Sequence, residues 1–320
     1  MPAAGFEFHR LSVQGLSRTS PLRALRALGL SAAAVVRARR LLARISPDAV
    51  MGGGGYVAGP VGLAALTLRL PLVLTEADSH LGLTNRLLAP FARRVLLAFP
   101  IAGRVGGRYR VTGRAIPPLV SDRAGARARF GVPPGLRCLL VFGGSLGARS
   151  VNLAAVEAFA GSPLWVLHIS GRRDYELIAA RAPAGQGAED GPAEMPGGYE
   201  VRPYLELEEF AEALAAADLV VGRAGGSVFE LAAYGLPAVL IPYPHAAGDH
   251  QSSNAAWMAA AGAAVVIPDG ELTGARLGGE VAGLVSDPRR LEAMSAAARR
   301  LARPDAAAEI AAEVLGAAAR

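Results

Sequence analysis

Residues 222–237 read GRAGGSVFELAAYGLP. Gly225 and Gly226 precede Ser227, and Glu230 stands three positions after that Ser. The Ser-x-x-Glu spacing is that of a capping box, in which each side chain takes the other's backbone amide at a helix start. Gly235 and Pro237 are stop signals for the same helix. Capping accounts for these four residues. It does not call for Gly225 and Gly226, whose lost conformational freedom is a cost unless something must approach the backbone. A helix start also presents free amides and a dipole that favour an anion. The stretch fits a capped helix, an anion site, or both.

Three further segments carry polar chemistry. GGSLGAR (143–149) places Gly143, Gly144 and Ser145 where a strand should pass into a helix, so it fits a phosphate cradle or a tight turn with a Ser cap. It is neither the dinucleotide G-x-G-x-x-G pattern nor a P-loop. DHQSSN (249–254) offers Asp249, His250, Gln251 and Asn254. Amide side chains donate and accept together, which suits sugar hydroxyls and a uracil edge. TEADSH (75–80) sets Glu76, Asp78 and His80 at one strand end, the best acid–base candidates in the first half, although ordinary loop polarity would look the same. His245 and His250 are five apart on a loop, which fits no common metal spacing. With one Cys and no paired acidic cluster, no metal site is expected.

The elements that would position these residues alternate regularly. Short apolar runs at 6–13, 48–52, 71–76, 93–99, 108–113, 138–143, 164–170, 199–205, 218–223, 238–243 and 263–268 are predicted strands. Helical stretches lie between most of them, the signature of parallel α/β sheets. In such sheets ligands bind at the carboxyl ends of the strands. GGGGYVAGP (52–60) and the segments above all fall at such ends. Paired prolines on both sides of a polar stretch mark 121–136 as a linker between an α/β domain at 1–120 and another at 137–300, with a closing helix at 301–320. Strand-end turns split between two domains predict a cleft between them. Residues 181–198 read as a surface excursion.

Composition bounds the rest. Hydrophobic residues make up 52% and charged residues 19%, which places the chain among globular proteins. All 33 basic residues are Arg. Residues 1–48 hold eight Arg against Glu7 and Asp48, so they account for the whole net charge of +6. This basic front favours an anionic partner, and the amphipathic run at 20–48 suits a membrane surface as well as core packing. No aromatic stacking platform accompanies it, so nucleic acid is not expected. The lone Cys138 sits in CLLVF and reads as a buried, inert thiol in a reducing compartment. Residues 1–13 lack the apolar core of a secretory leader, and the longest apolar stretch is broken by Gly-Pro, Arg69 and Pro71, so no membrane span is expected.

GGGGYVAGP, GLTN, GGSLGAR, the long block RAGGSVFELAAYGLPAVLIPYPHAAGDHQSSNA and AGAA, taken in order and spacing, resemble the MurG family. The resemblance runs over nearly the whole chain, and the long block is its most specific part. It implies a GT-B fold of two Rossmann-like parallel-sheet domains facing a cleft. It also implies a metal-independent, inverting transfer of N-acetylglucosamine from UDP-GlcNAc to a polyprenyl-diphosphate-linked muramoyl pentapeptide (lipid I), giving lipid II for the peptidoglycan cell wall. No cofactor is implied. The first domain would face acceptor and membrane, at the cytoplasmic face of the cell membrane, and the second would bind the UDP-sugar. Ser145 would contact the diphosphate or uridine; Gly225, Gly226 and Ser227 would meet the diphosphate; Glu230 would bond the ribose hydroxyls. Gln251 would approach the transferred sugar and Leu205 would lie near uracil. Gly54, Gly55 and Tyr56 belong to the acceptor side.

The chain departs from the family pattern in several places. The family opens with a strand and a Gly-rich loop carrying a His, a candidate base. FEFHRLSVQGL already resembles a later strand, so the first domain is expected to lack that opening. Asp78 stands where the family has Asn, Pro117 replaces a donor-binding Arg with Arg114 nearby, and the turn before Glu230 is one residue short. With the family loop missing, Asp78 or His80 is the expected base. Two other functions compete. One is a UDP-GlcNAc-binding protein without transferase activity. The other is a different GT-B enzyme, a glycolipid glycosyltransferase or a UDP-GlcNAc epimerase.

Overall fold

The structure is a computed structural model that describes residues 5–13, 21–144, 147–183 and 197–319. In chain order its elements are α1 (Pro21–Ile45), β1 (Val50–Gly52), α2 (Gly55–Thr67), β2 (Leu72–Glu76), α3 (Leu83–Leu88), β3 (Arg94–Leu97) and β4 (Tyr109–Val111). Then come α4 (Arg123–Arg129), β5 (Cys138–Phe142), α5 (Arg149–Phe159), β6 (Trp165–Ile169), α6 (Tyr175–Ala179) and β7 (Gly198–Arg202). The chain continues through α7 (Leu207–Ala216), β8 (Leu219–Gly222), α8 (Val228–Tyr234), β9 (Ala238–Leu240), α9 (His250–Ala260) and β10 (Ala264–Val266). Three helices close it: α10 (Gly274–Val285), α11 (Pro288–Leu301) and α12 (Ala306–Ala318).

Two compact units result, residues 1–115 with 305–320, and residues 116–304. The sheet of the first unit runs β1-β2-β3-β4, parallel throughout. Its core is Leu72, Leu74, Val95 and Leu97, with Ala65 and Leu88 from the covering helices. α12 packs on β2 and β3 through Ala317 against Val73 and Leu96. Glu313 of α12 accepts from Arg94 Nε at 2.9 Å and Arg110 Nη1 at 2.6 Å, so the last helix is fixed by charge as well as by apolar contact. The closing helix expected as its own segment at 301–320 therefore belongs with the first sheet. Residues 121–136, expected as a linker, contain α4 and fall in the second unit, where Arg127 and Arg123 both pair with Asp218 at the foot of β8.

The second sheet has the order β10-β9-β8-β5-β6-β7, again all parallel. β5 and β8 are buried at every position, the behaviour of strands covered on both faces, and this is why CLLVF and LVVG are unbroken apolar runs. Cys138 is fully buried, and burial, followed by the charge of Asp218, pushes its thiol up to about 12, so it stays protonated and unreactive. The strand order reverses between β5 and β8. That reversal opens a crevice at their carboxyl ends.

Ten of the predicted strands form, shorter at their ends than the apolar runs. The run at 6–13 does not. Among the described residues it is irregular, and Phe6 and Phe8 stand exposed, so its apolar side chains find no sheet to cover. Most of the 181–198 excursion lies outside the described residues.

Candidate functional site

The reversal point of the second sheet holds a cavity of about 600 Å³. Gly143, Gly144, Gly147 and Ala148 form one wall, after β5, and Arg223, after β8, forms another. Tyr243 and Gln251 lie beyond β9, and Asp269 follows β10. With Arg173 after β6, five strand ends of one sheet supply the walls.

The glycines after β5 do different work. A Cβ on Gly143 would come within 2.5 Å of the Ala148 backbone nitrogen. Gly147 has φ +78°, and a Cβ there would overlap the Ser170 carbonyl oxygen. Both are demanded by the chain's own packing. Gly144 has φ +90° and open space in front of it. Ser145 lies outside the described residues.

Arg223 ties the turns together. Its Nη1 donates to the carbonyls of Ile241 and Pro242 at 3.1 Å each and pairs with Asp269 at 2.7 Å. Its Nη2 donates to Ser150 Oγ at 2.9 Å, and that hydroxyl donates to Asp269 at 2.8 Å. The guanidinium also lies over the Tyr243 ring, 5.4 Å from its centre. Arg149 and Arg173 border the same cavity, and both bond to the buried carboxylate of Asp174. Burial alone would push Asp174 up, but the hydrogen bonds and charges of Arg173 and Arg149 outweigh it and hold the carboxyl below its usual value. It is therefore an anion at neutral pH.

Gln251, in DHQSSN, lines the cavity. Its Oε1 accepts from the Tyr243 amide at 2.9 Å, which leaves its NH₂ to meet a ligand. Asn254 does not. It is buried and donates to the Ala224 carbonyl at 3.0 Å, tying α9 to the turn after β8. Asp249 accepts from Ser252 Oγ at 2.6 Å, within its own turn.

The turn at Gly225, Gly226 and Ser227 follows Arg223 directly but does not line the cavity. The capping box does not form. Ser227 already has helical angles and makes no side-chain capping bond, so it sits one step inside the turn rather than at its edge. Among the described residues, no backbone group accepts from the Gly226 or Ser227 amides, and a Cβ on Gly225 would meet nothing within 4 Å. These three residues are half-buried, with Glu230 half-buried on α8 behind them. The predicted stop does form: Gly235 has φ +66°, and the Leu236 amide reaches back to Leu231. Leu205, after β7, is buried and does not line the cavity.

In the first unit, Gly54 and Gly55 have φ of +78° and +72° and turn β1 into α2, with Tyr56 exposed. The next loop is built on Glu76. Its buried carboxylate accepts from the amides of Asp78 (3.2 Å) and Gly82 (2.9 Å) and from Asn85 Nδ2 (2.9 Å). Thr84 Oγ1 donates to the Gly55 carbonyl at 2.9 Å, joining this loop to the glycine turn. The three acid–base candidates therefore separate. Glu76 is an anchor with both carboxylate oxygens hydrogen-bonded, whereas Asp78 is half-buried and His80 exposed on the loop it shapes. Arg114 is exposed at the end of the first unit.

Arg149, Arg173, Arg223 and Asp269 carry most of the charge of the cavity lining, with Asp174 buried behind the first two, and motif spacing gave none of them a role. Among the described residues there is no group of three His, Cys, Asp or Glu that would hold a metal ion, and no helix is long and apolar enough to cross a membrane.

Residues 138–310 match the glycosyltransferase family 28 C-terminal domain, and residues 1–97 match the family 28 N-terminal domain. The chain is 42% identical over 316 residues to a UDP-N-acetylglucosamine–N-acetylmuramyl-(pentapeptide) pyrophosphoryl-undecaprenol N-acetylglucosamine transferase of Moorella thermoacetica. That alignment covers 96% of this chain and 84% of the relative. A transferase of the same description from Rubrobacter xylanophilus is 40% identical over 324 residues, 99% of this chain and 91% of its own. The crystal structure of Acinetobacter baumannii MurG is similar with a TM-score of 0.73 and 28% identity, over 98% of this chain and 86% of that one.

Proposed function

The chain belongs to glycosyltransferase family 28, among the MurG transferases, and from that premise we propose how its residues divide the work. The reaction moves N-acetylglucosamine from UDP-N-acetylglucosamine to a muramoyl pentapeptide on a polyprenyl diphosphate, converting lipid I to lipid II. One observation in the fold carries the donor half: a cavity at the strand-order reversal, edged by the glycine turn after β5 and by the guanidiniums of Arg149, Arg173 and Arg223. Negative charge develops on the UDP leaving group as the glycosidic bond breaks. Fixed cations and backbone amides are what stabilise it.

In this reading the Gly225–Ser227 amides and the turn carrying Ser145 hold the diphosphate. Glu230 accepts from the ribose hydroxyls, the Leu205 backbone meets uracil, and the Gln251 NH₂ donates to the transferred sugar. The acceptor approaches Gly54, Gly55 and Tyr56. Its hydroxyl attacks the anomeric carbon, the bond to UDP breaks with inversion, and a base on the 76–82 loop takes the proton. Asp78 and His80 are the candidates. Asp78→Asn or His80→Ala should lower kcat by about 10²-fold or more while donor binding by calorimetry stays intact. Parent-level lipid II formation by both variants would remove the base from this loop.

The membrane reading rests on two surfaces of the first unit. Arg37, Arg39, Arg40 and Arg44 are exposed on α1. Leu83, Leu87 and Phe91 follow at four-residue spacing and are 60%, 65% and 66% exposed, with Arg86 beside them. Apolar side chains among cations suit an interfacial site on anionic lipid. Leu87→Glu should weaken sedimentation with anionic vesicles about tenfold, and unchanged sedimentation would refute this placement.

A further inference from the structure

We propose that Asp174 is a positioning residue: it holds the Arg149 and Arg173 guanidiniums on the cavity wall, where they bind the two phosphates of a nucleoside diphosphate. This rests on the donor-site reading above and extends it to a residue in the β6–α6 turn.

The geometry is asymmetric. The Asp174 side chain is 0% exposed, while those of Arg149 and Arg173 are 59% and 60% exposed. A carboxylate fully removed from water is costly unless paired and hydrogen-bonded. Here it accepts from Arg149 Nε and Nη2 at 3.1 and 3.0 Å, and from Arg173 Nε and Nη2 at 3.3 and 3.1 Å. Each guanidinium spends one edge on Asp174. The two N–H groups on Nη1 remain for a ligand. One carboxylate between two cations leaves a net positive charge at the rim, whereas Arg223 is balanced by Asp269. The excess charge therefore sits on the Arg149–Arg173 side.

Behind Asp174 lies a buried hydrogen-bond network. Asn152 Nδ2 donates to the Ser170 carbonyl at 2.8 Å and approaches Asp174 at 3.5 Å. His168 Nε2 lies 3.0 Å from Asn152 Oδ1 and its Nδ1 2.8 Å from the Tyr199 hydroxyl. With Asn152 Nδ2 committed to donation, Oδ1 must accept. His168 then carries its proton on Nε2 and takes the Tyr199 O–H at Nδ1. Burial drives the imidazole down to about 4, in keeping with a neutral ring. Asn152, His168 and Tyr199 are all buried. Asp174 meets that network through Asn152 at 3.5 Å and is fixed chiefly by its four bonds from Arg149 and Arg173, which in turn keep both guanidiniums at the cavity rim.

The test is calorimetry of UDP and of uridine on the parent, Asp174→Asn, and the Arg149→Ala/Arg173→Ala double variant. Asp174→Asn should weaken UDP by about tenfold, as expected for a charge-assisted contact, and leave uridine unchanged. The double variant should show the same phosphate-selective loss. Adding Asp174→Asn to it should cost nothing more, because the groups it positions are gone. Equal losses for UDP and uridine, or UDP affinity unchanged in Asp174→Asn, would overturn the proposal. If Asp174→Asn fails to fold, the double variant decides: parent-level UDP affinity there overturns it. A parent that binds no UDP defeats the donor-site reading itself, and this proposal with it.

Discussion

Arg223→Ala is expected to destabilise the second unit by about 3 kcal/mol and to remove measurable donor binding. Arg223 is only 9% exposed at its side chain and serves four acceptors: two carbonyls after β9, Asp269 after β10 and Ser150 at the start of α5. Its loss leaves the Ile241 and Pro242 carbonyls without that donor and Asp269 without its cation. Breaking a buried pair from one side costs more than the pair contributes, because the remaining charge stays desolvated. Asp269 keeps its bond from Ser150 and is 22% exposed, which sets the figure at the lower end of that range. Arg223→Lys should recover little, since a single ammonium cannot span the carbonyls, the carboxylate and the hydroxyl at once. Urea unfolding and UDP calorimetry measure both effects. An unfolding midpoint within error of the parent would contradict the role given to this residue.

Gly147→Ala is expected to cost about 2–4 kcal/mol through left-handed strain and a backbone overlap combined. The added Cβ would run into the Ser170 carbonyl, which is backbone and cannot rotate aside. The turn after β5 must shift, carrying Gly144 and the start of α5 away from the cavity, so UDP affinity should fall at least about tenfold. Gly161→Ala is the matched control. Gly161 has ordinary backbone angles and open space around it, and its change should stay within about 0.5 kcal/mol. A stability for Gly147→Ala equal to that control would show that the turn is looser than described.

The second sheet was legible because its central strands β5, β8 and β9 are buried on both faces. CLLVF and LVVG admit no polar interruption, and the switch from apolar run to Gly-rich turn marks each strand end. The same rule misread 6–13, where an apolar stretch has no sheet to cover it. Gly143, Gly144 and Gln251 could be placed in the cavity from local pattern alone. Arg223 could not: it stands in the quoted block, yet its partner hydroxyl on Ser150 is 73 positions away. Asp174 sits in GRRD, which on its face is a cluster of solvated charge; only packing reveals that the acid is inside and the bases outside. The Ser227–Glu230 spacing shows the opposite failure. A capping box needs Ser at the non-helical edge of the turn, and spacing does not report backbone angles. The closing helix could be read as a helix, but its return to the first sheet depends on Glu313 meeting Arg94 and Arg110, far earlier in the chain.

At the centre of the function proposed for this chain stands glycosyl transfer between a donor held at the reversal of the second sheet and a lipid-linked acceptor. Its most direct test is to incubate the protein with UDP-N-acetylglucosamine labelled in the sugar, with and without lipid I, and to follow label and UDP together. Transfer predicts label in lipid II and an equal amount of UDP, both only when lipid I is present. Loss of UDP-N-acetylglucosamine without acceptor, or UDP binding with no labelled lipid, would contradict it.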